Sequence, residues 1–315
     1  MAQQANHALP NGTQLEEYTI ERQLSLGGFS IVYLAADPTG KQVAIKEYLP
    51  NSLALRGKGE IKPVITGEHQ GAFRYGMKCF FEEGRALAKL SHPNVIRVLN
   101  FFRANDTVYM VMEYEHGRTL QEFIQKHQGH ISERFIRGVF TRLLNGLREV
   151  HSNKLLHLDL KPSNIYLRSD NTPVLLDFGA ARQTLMSDQP MLKPMYTPGF
   201  ASPEHYGTRK DLGPWSDIYS VGASMYACLA GSAPQAADER LKKDTLVPAM
   251  MRWDGQYSDR LLEIIDWCLN LNHLYRPQSV FALQKALVEA IAPPQPKPQP
   301  SWINRVVDKL KKPIL

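Results

Sequence analysis

The chain has 315 residues, 43% hydrophobic and 22% charged, which is the composition of an ordinary globular protein long enough to bury a core in two lobes. Its 37 Lys and Arg against 31 Asp and Glu leave a formal charge of +6; this mild excess reads as scattered surface groups and excludes a main body built for nucleic acid. Cys79, Cys228 and Cys268 are too dispersed to frame disulfides or a zinc site. No apolar run reaches the roughly 18 residues of a membrane span, and the polar start lacks the pattern of a secretory signal, so a cytoplasmic placement is expected.

Residues 1–14 are expected to form a flexible lead-in to a lobe over 15–115. From Tyr18-Thr19-Ile20 the chain turns strand-rich, through Leu24-Ser25-Leu26-Gly27-Gly28-Phe29-Ser30-Ile31-Val32 and the turn residues Asp37-Pro38-Thr39-Gly40 to Gln42-Val43-Ala44-Ile45-Lys46. Strand, glycine turn, strand, tight turn, strand is a meander whose glycines let backbone approach a ligand. Lys46 ends an apolar strand, so the strand delivers its ammonium to a defined place.

The spacing predicts a helix over Phe80–Leu90. Glu83 shares a face with Phe80, Leu87 and Leu90, whereas Glu82 falls with Arg85 and Lys89 on the solvent side. A carboxylate on an apolar stripe needs a partner, and Lys46 is the one expected. The long connection between them, Glu47–Met77, carries the basic tip Arg56-Gly57-Lys58-Gly59-Glu60, expected to be solvated.

Two further strands are predicted over Val95–Phe102 and Thr107–Tyr114, the second running into Met112-Glu113-Tyr114-Glu115-His116-Gly117. A second lobe over 116–291 is helical: Leu120–Lys126, Glu133–Asn153, Trp215–Gly231, Leu261–Leu269 and Val280–Ile291. The third of these is apolar nearly all round and therefore buried. Between the helices two apolar runs each deliver acidic and amide groups onto a loop: Leu155-Leu156-His157-Leu158-Asp159-Leu160-Lys161-Pro162-Ser163-Asn164, then Val174-Leu175-Leu176-Asp177-Phe178-Gly179. Residues 292–300 form a stiff Pro-rich spacer. Residues 301–315 form a short segment with Trp302, Ile303, Val306, Val307 and Leu310 on one face and Arg305, Lys309, Lys311 and Lys312 opposite. Such a segment can dock on a protein partner, fold back on the lobes, or lie on an anionic membrane face.

His157-x-Asp159-x-Lys161-x-x-Asn164 followed by Asp177-Phe178-Gly179 resembles the catalytic and metal-binding loops of eukaryotic-type (Hanks-type) protein kinases. Over about residues 18 to 290, Glu47-Tyr48-Leu49-Pro50, the Leu175–Arg182 run and Thr197-Pro198-Gly199-Phe200 look most like the bacterial Ser/Thr branch. The resemblance implies an α+β bilobal fold, with a small β-rich lobe carrying one main helix and a larger helical lobe. It implies ATP with Mg²⁺, for which Mn²⁺ can substitute, and protein substrates bearing Ser or Thr.

In that resemblance Asp159 accepts the substrate hydroxyl proton, Lys161 stabilises the transferred group, and Lys46 pairs the phosphates with Glu83. Asn164 and Asp177 hold metal ions. Leu24, Ser25, Leu26, Gly27, Gly28, Phe29, Ser30, Val32 and Ala44 cover the nucleotide, Met112 takes the gatekeeper position, and Glu113 and Glu115 offer backbone groups to adenine. Glu204, paired with Arg276, and Asp217, holding the catalytic-loop backbone, are scaffold. Thr184, Ser187 and Thr197 are candidate phosphosites.

Two departures matter. Ser25 and Ser30 stand where the family has glycines. Leu158 stands where the family usually has the Arg that clasps a phosphorylated activation loop, which implies activity without that phosphate. An ATP-binding scaffold without turnover is the alternative reading.

Overall fold

Tyr18 and Ile20 are buried while Thr19 and Glu21 face solvent, the alternation of a half-buried strand. The computed structural model describes residues 6–128, 130–178, 197–207 and 211–289. Its first lobe contains β1 (Gln14–Leu15), β2 (Tyr18–Leu26), β3 (Ser30–Ala36), β4 (Gln42–Tyr48), β5 (Ala54–Leu55), β6 (Val64–Ile65), α1 (Gln70–Leu87), β7 (Val98–Ala104) and β8 (Thr107–Glu113). Six strands form one antiparallel sheet in the order β1-β2-β3-β4-β8-β7. Strand β4 is buried almost throughout, as a central strand covered on both faces should be. Its register sets Lys46 opposite Val32 and Met110, and Ala44 opposite Met112.

Three sequence expectations are corrected in this lobe. Helix α1 begins at Gln70 rather than Phe80, and its buried stripe Phe73, Met77, Phe80, Glu83 and Leu87 follows helical spacing throughout. The segment before Phe80, placed by the sequence in the long connection Glu47–Met77, is helical from Gln70: packing of an amphipathic face outweighs the unfavourable propensity of Gly71 and Gly76, and Gly76 lies on the buried side. The connection before α1 is correspondingly shorter and contains the β5–β6 hairpin.

Arg56, expected on a solvated tip, is 2% exposed, while Gly57 to Glu60 beside it are exposed. The first described residues are packed rather than loose: Asn6 donates to Asn51 at 2.7 Å and to the Ala54 carbonyl at 3.1 Å, and Leu9 is buried.

The second lobe contains β9 (Gly117–Thr119), α2 (Leu120–His127), α3 (Glu133–Ser152), β10 (Ile165–Arg168), β11 (Pro173–Leu175), α4 (Pro214–Ala230), α5 (Ala237–Lys242), α6 (Ala249–Arg252), α7 (Asp259–Cys268) and α8 (Val280–Glu289). Helix α2 starts in a capping box between Thr119 and Glu122, and Ser132 caps α3. Helix α4 is buried along nearly its whole length, as its all-round apolar sequence requires. Strands β11, β10 and β9 form a small sheet below the first lobe. The two lobes meet where Leu175 donates to the Asn94 carbonyl at 2.9 Å and Ile96 donates to the Leu175 carbonyl at 3.0 Å. Thr184, Ser187, the spacer 292–300 and the segment 301–315 lie outside the described residues. Among the described residues no helix is long and apolar enough to cross a membrane.

Candidate active site

The loop between α3 and β10 is built from below by one carboxylate. Asp217, buried in the first turn of α4, accepts from the backbone N–H of His157 at 2.9 Å and of Leu158 at 2.8 Å, and pairs with His151 at 2.8 Å. Burial would raise the Asp217 carboxyl, but the hydrogen bond and charge of His151 and the loop donors override it and hold it below the usual range. Leu158 sits in the left-handed region at φ +61°, a backbone that costs a residue with a side chain about 1–2 kcal/mol. The structure around it therefore holds that turn in place.

Asp159 follows. Its carboxylate oxygens lie 3.1 and 3.0 Å from the Lys161 ammonium, and Asn164 Nδ2 donates to its Oδ2 at 3.1 Å and to its carbonyl at 2.8 Å. The Thr197 hydroxyl accepts from Lys161 at 2.8 Å and donates to Asp159 at 3.3 Å. Thr197, a candidate phosphosite from sequence, thus lies inside the cluster around Asp159.

The second acidic loop is fastened to the first through His157. The imidazole is fully buried, donates from Nε2 to the Leu176 carbonyl at 2.9 Å, and stacks on Phe178 with ring centroids 4.4 Å apart. Burial pushes the pKa of His157 down, so it stays neutral. Asp177, at φ +51°, forms an ion pair with Lys46. Here the sequence expectation is corrected: the ion pair that the structure gives Lys46 is with Asp177 rather than Glu83. Glu83 is buried on α1 and lines a separate cavity with Tyr75, Leu155 and Phe178. Strand β4 hands the ammonium to the turn after β11, and the apolar stripe of α1 carries Glu83 to the neighbouring space.

A cavity of about 430 Å³ lies between the lobes. Leu24, Ser25, Val32, Ala44 and Lys46 line it from the sheet, Met112, Glu113 and Glu115 from the connecting strand, and Asn164 and Asp177 from beneath. Leu26, Gly27, Gly28, Phe29 and Ser30 do not line it. Gly27 donates to Ser30 at 2.9 Å in a tight turn, and the carbonyls of Gly28 and Phe29 accept from Asn51 and Leu49 at 2.9 Å, so this turn is tied to the chain after β4.

Sequence reading passed over Ile96, Tyr114, Tyr166 and Leu176, which also line the cavity, and Arg168. Arg168 donates to Glu115 from Nε at 2.8 Å and to the Pro93 carbonyl at 2.8 Å. A charged residue ending the apolar strand Ile165-Tyr166-Leu167 was the signal available for it. Gly117 beside Glu115 is required, because a Cβ there would fall 1.9 Å from the Leu167 carbonyl oxygen.

The donor set suits a hard divalent cation that arrives with phosphate. Asn164 uses its amide nitrogen on Asp159, and its Oδ1 makes no hydrogen bond among the described residues. No group of three or more His, Cys, Asp or Glu among the described residues could hold a metal alone. Mg²⁺ is typically bound by one or two protein oxygens plus substrate phosphates, which fits Asn164 and Asp177.

The family described as "Protein kinase domain" matches residues 18–288. The structure titled "PpkA-294 apo form" is 35% identical, with a TM-score of 0.81, covering 89% of this chain and 99% of that one. The PknI kinase domain of M. tuberculosis is 21% identical with a TM-score of 0.67 over 90% of this chain and 98% of that one, a likeness of fold. Serine/threonine-protein kinase PLK4 of Nematostella vectensis is 28% identical over 225 residues, 71% of this chain and 21% of that protein. PLK4 of Drosophila sechellia is 27% identical over 253 residues, 78% and 30%. The chain thus spans less than a third of the length of these curated relatives.

Proposed function

The chain belongs to the protein kinase family, and on that premise we propose that it transfers the γ-phosphoryl group of ATP to Ser and Thr hydroxyls of proteins, its own included. One observation carries this reading: Asp159, Lys161, Asn164 and Thr197 converge within hydrogen-bond distance at the edge of an interlobe cavity that Asp177 and Lys46 complete. The family match and the serine/threonine-protein kinase relatives support it.

Asp159 accepts the hydroxyl proton and orients the oxygen for attack. Lys161 stays beside it, set to offset negative charge on the moving group, and Lys46 offers an ammonium to the phosphates. A divalent ion, when bound, neutralises the phosphate oxygens; Asn164 and Asp177 would hold Mg²⁺, and Mn²⁺ suits the same oxygens. Strands Gln42–Tyr48 and Thr107–Glu113 supply the apolar walls for the base, with Arg168 steadying Glu115. Chemistry of this kind asks mainly for positioning and charge neutralisation.

Switching on without phosphate at Thr184 or Ser187 belongs to the same reading, because Leu158 offers no charge to such a phosphate. So do a cytoplasmic placement and docking of segment 301–315 on a protein partner, the kinase lobes or an anionic membrane face. These rest on the sequence.

An ATP-binding scaffold is the second reading, favoured by the engagement of Lys46 with Asp177 rather than Glu83. Incubating the full chain with Mg·ATP and a generic basic protein, with phosphate located by mass spectrometry, separates the two. Phosphate on Ser or Thr, absent when Lys46→Met replaces the wild type, is the expected result. Saturable Mg·ATP binding with no transfer would replace the kinase by the scaffold.

A further inference from the structure

Asp159 owes its placement to the backbone of Leu158, and that backbone is held from both sides. The Leu158 N–H donates to Asp217 Oδ1 at 2.8 Å, which fixes the peptide plane before it. The Leu158 carbonyl accepts from His205 Nε2 at 3.2 Å, which fixes the plane after it, the one whose N–H belongs to Asp159. Together the two bonds set φ and ψ of a residue at +61°, where an ordinary side chain rarely rests. The Asp159 N–H itself reaches His157 Nδ1 at 3.4 Å, a longer contact that adds less restraint.

His205 is suited to this hold. It is 3% exposed, and its second nitrogen accepts from the Ser202 N–H at 3.2 Å and lies 2.8 Å from the Ser202 hydroxyl. With Nδ1 accepting and Nε2 donating, the network admits one neutral tautomer. Segment 197–207 is thereby joined to the catalytic loop at two points: Thr197 on Asp159 and Lys161, and His205 on Leu158. Neither junction uses a phosphate.

We propose that His205 is a positioning residue for phosphoryl transfer, holding Asp159 in register through the Leu158 carbonyl and coupling that base to the segment carrying Thr197-Pro198-Gly199-Phe200. The inference rests on the kinase reading above. It assigns His205 no contact with substrate.

The test compares His205→Ala and His205→Gln with wild type in the full chain. Glutamine can present an amide N–H where Nε2 lies while losing the ring's second nitrogen. His205→Ala is expected to lower kcat on a basic protein substrate about tenfold or more, the scale on which small misplacement acts. KM for ATP and the Mg·ATP-induced rise in Tm should be unchanged, and His205→Gln should recover kcat to within about threefold of wild type.

A His205→Ala kcat within about threefold of wild type would overturn the proposal. So would a His205→Gln variant as impaired as the alanine variant at equal Tm, or parallel loss of kcat and nucleotide response in both. If the wild-type chain transfers no phosphate, the kinase reading fails, and hydrogen exchange decides the coupling separately. Faster exchange at the Leu158 and Asp159 amides in His205→Ala but not in His205→Gln upholds it, and equal exchange in all three removes it.

Discussion

Arg56 and Glu47 form a bidentate ion pair, Nη1 to Oε1 at 2.6 Å and Nη2 to Oε2 at 2.7 Å, with both side chains withdrawn from solvent. The Tyr33 and Tyr109 hydroxyls donate to the same carboxylate at 2.7 and 2.9 Å, and Arg56 also binds the His7 carbonyl at 2.9 Å. Glu47 neighbours Lys46 on β4, so this cluster fixes the strand that delivers Lys46 to the cavity. Removing one partner strands a buried charge. Arg56→Ala is expected to cost about 3–5 kcal/mol of stability, read from the denaturant midpoint, and Arg56→Met with Glu47→Leu to regain most of it.

Stability should depend on pH in two windows. Burial holds His92, His157 and His205 below the ordinary imidazole value of 6.5. The unfolded chain therefore takes up protons first as pH falls, and their contribution, complete above about 6.5, declines below it. Burial would raise Glu204 and Asp217, but Arg276, which donates to Glu204 at 2.8 and 3.1 Å, and His151 respectively override it and depress them. Their contribution is present above the ordinary 4.5 and 3.8 and is lost as pH falls through the depressed values. Thermal melts at constant ionic strength should show Tm falling from pH 6.5 to 5 and again below 4, with a shallower first slope in His205→Gln. A Tm level from pH 7 to 5 would contradict the histidine assignment.

Arg168 tests the link between the connecting strand and the catalytic lobe. Its partly exposed bonds to Glu115 and Pro93 contribute about 1 kcal/mol to holding the Glu115 edge of the cavity, the edge proposed to take adenine. Arg168→Ala is expected to raise KM for ATP about fivefold with little change in kcat. A change confined to kcat would place Arg168 elsewhere in the cycle.

The proposed phosphate independence predicts a contrast among three hydroxyls. Thr184→Ala and Ser187→Ala should leave the rate on an exogenous peptide within about threefold of wild type. Thr197→Ala should lower it about tenfold, because its hydroxyl bridges Lys161 and Asp159. A tenfold loss in either of the first two variants would show that loop phosphorylation controls the enzyme.

The clustering of Asp159, Lys161, Asn164 and Asp177 was legible in sequence because its spacing is local. Asp159, Lys161 and Asn164 lie within one loop, and Asp177 is delivered by the next strand, so composition and order suffice. The helical lobe was legible for a related reason: long periodic stretches such as Glu133–Ser152 declare their buried face. What sequence reading lost depends on how segments pack in three dimensions rather than on local pattern. Arg56 looked like part of a solvated tip with Gly57 to Glu60, and only its pairing with Glu47 on β4 shows why it is buried. The first half of α1 was assigned to the long connection Glu47–Met77, although its buried stripe Phe73 and Met77 continues that of Phe80 and Leu87. The partner of Lys46 was assigned by periodicity to Glu83, whereas the structure brings in Asp177, 131 positions away. His205 left one faint signal, a Ser-x-x-His in which serine and histidine bond reciprocally at the start of a turn.

The most direct measurement is the single-turnover rate of Asp159→Asn against wild type, with Mg·ATP binding followed in parallel by thermal shift. Asparagine keeps the shape and the bonds to Lys161 and Thr197 within reach but cannot accept the hydroxyl proton. A loss of about 10²-fold or more in rate with nucleotide binding retained is the result expected of a catalytic base. A rate within about threefold of wild type would contradict the role of Asp159 and the account of the site built around it.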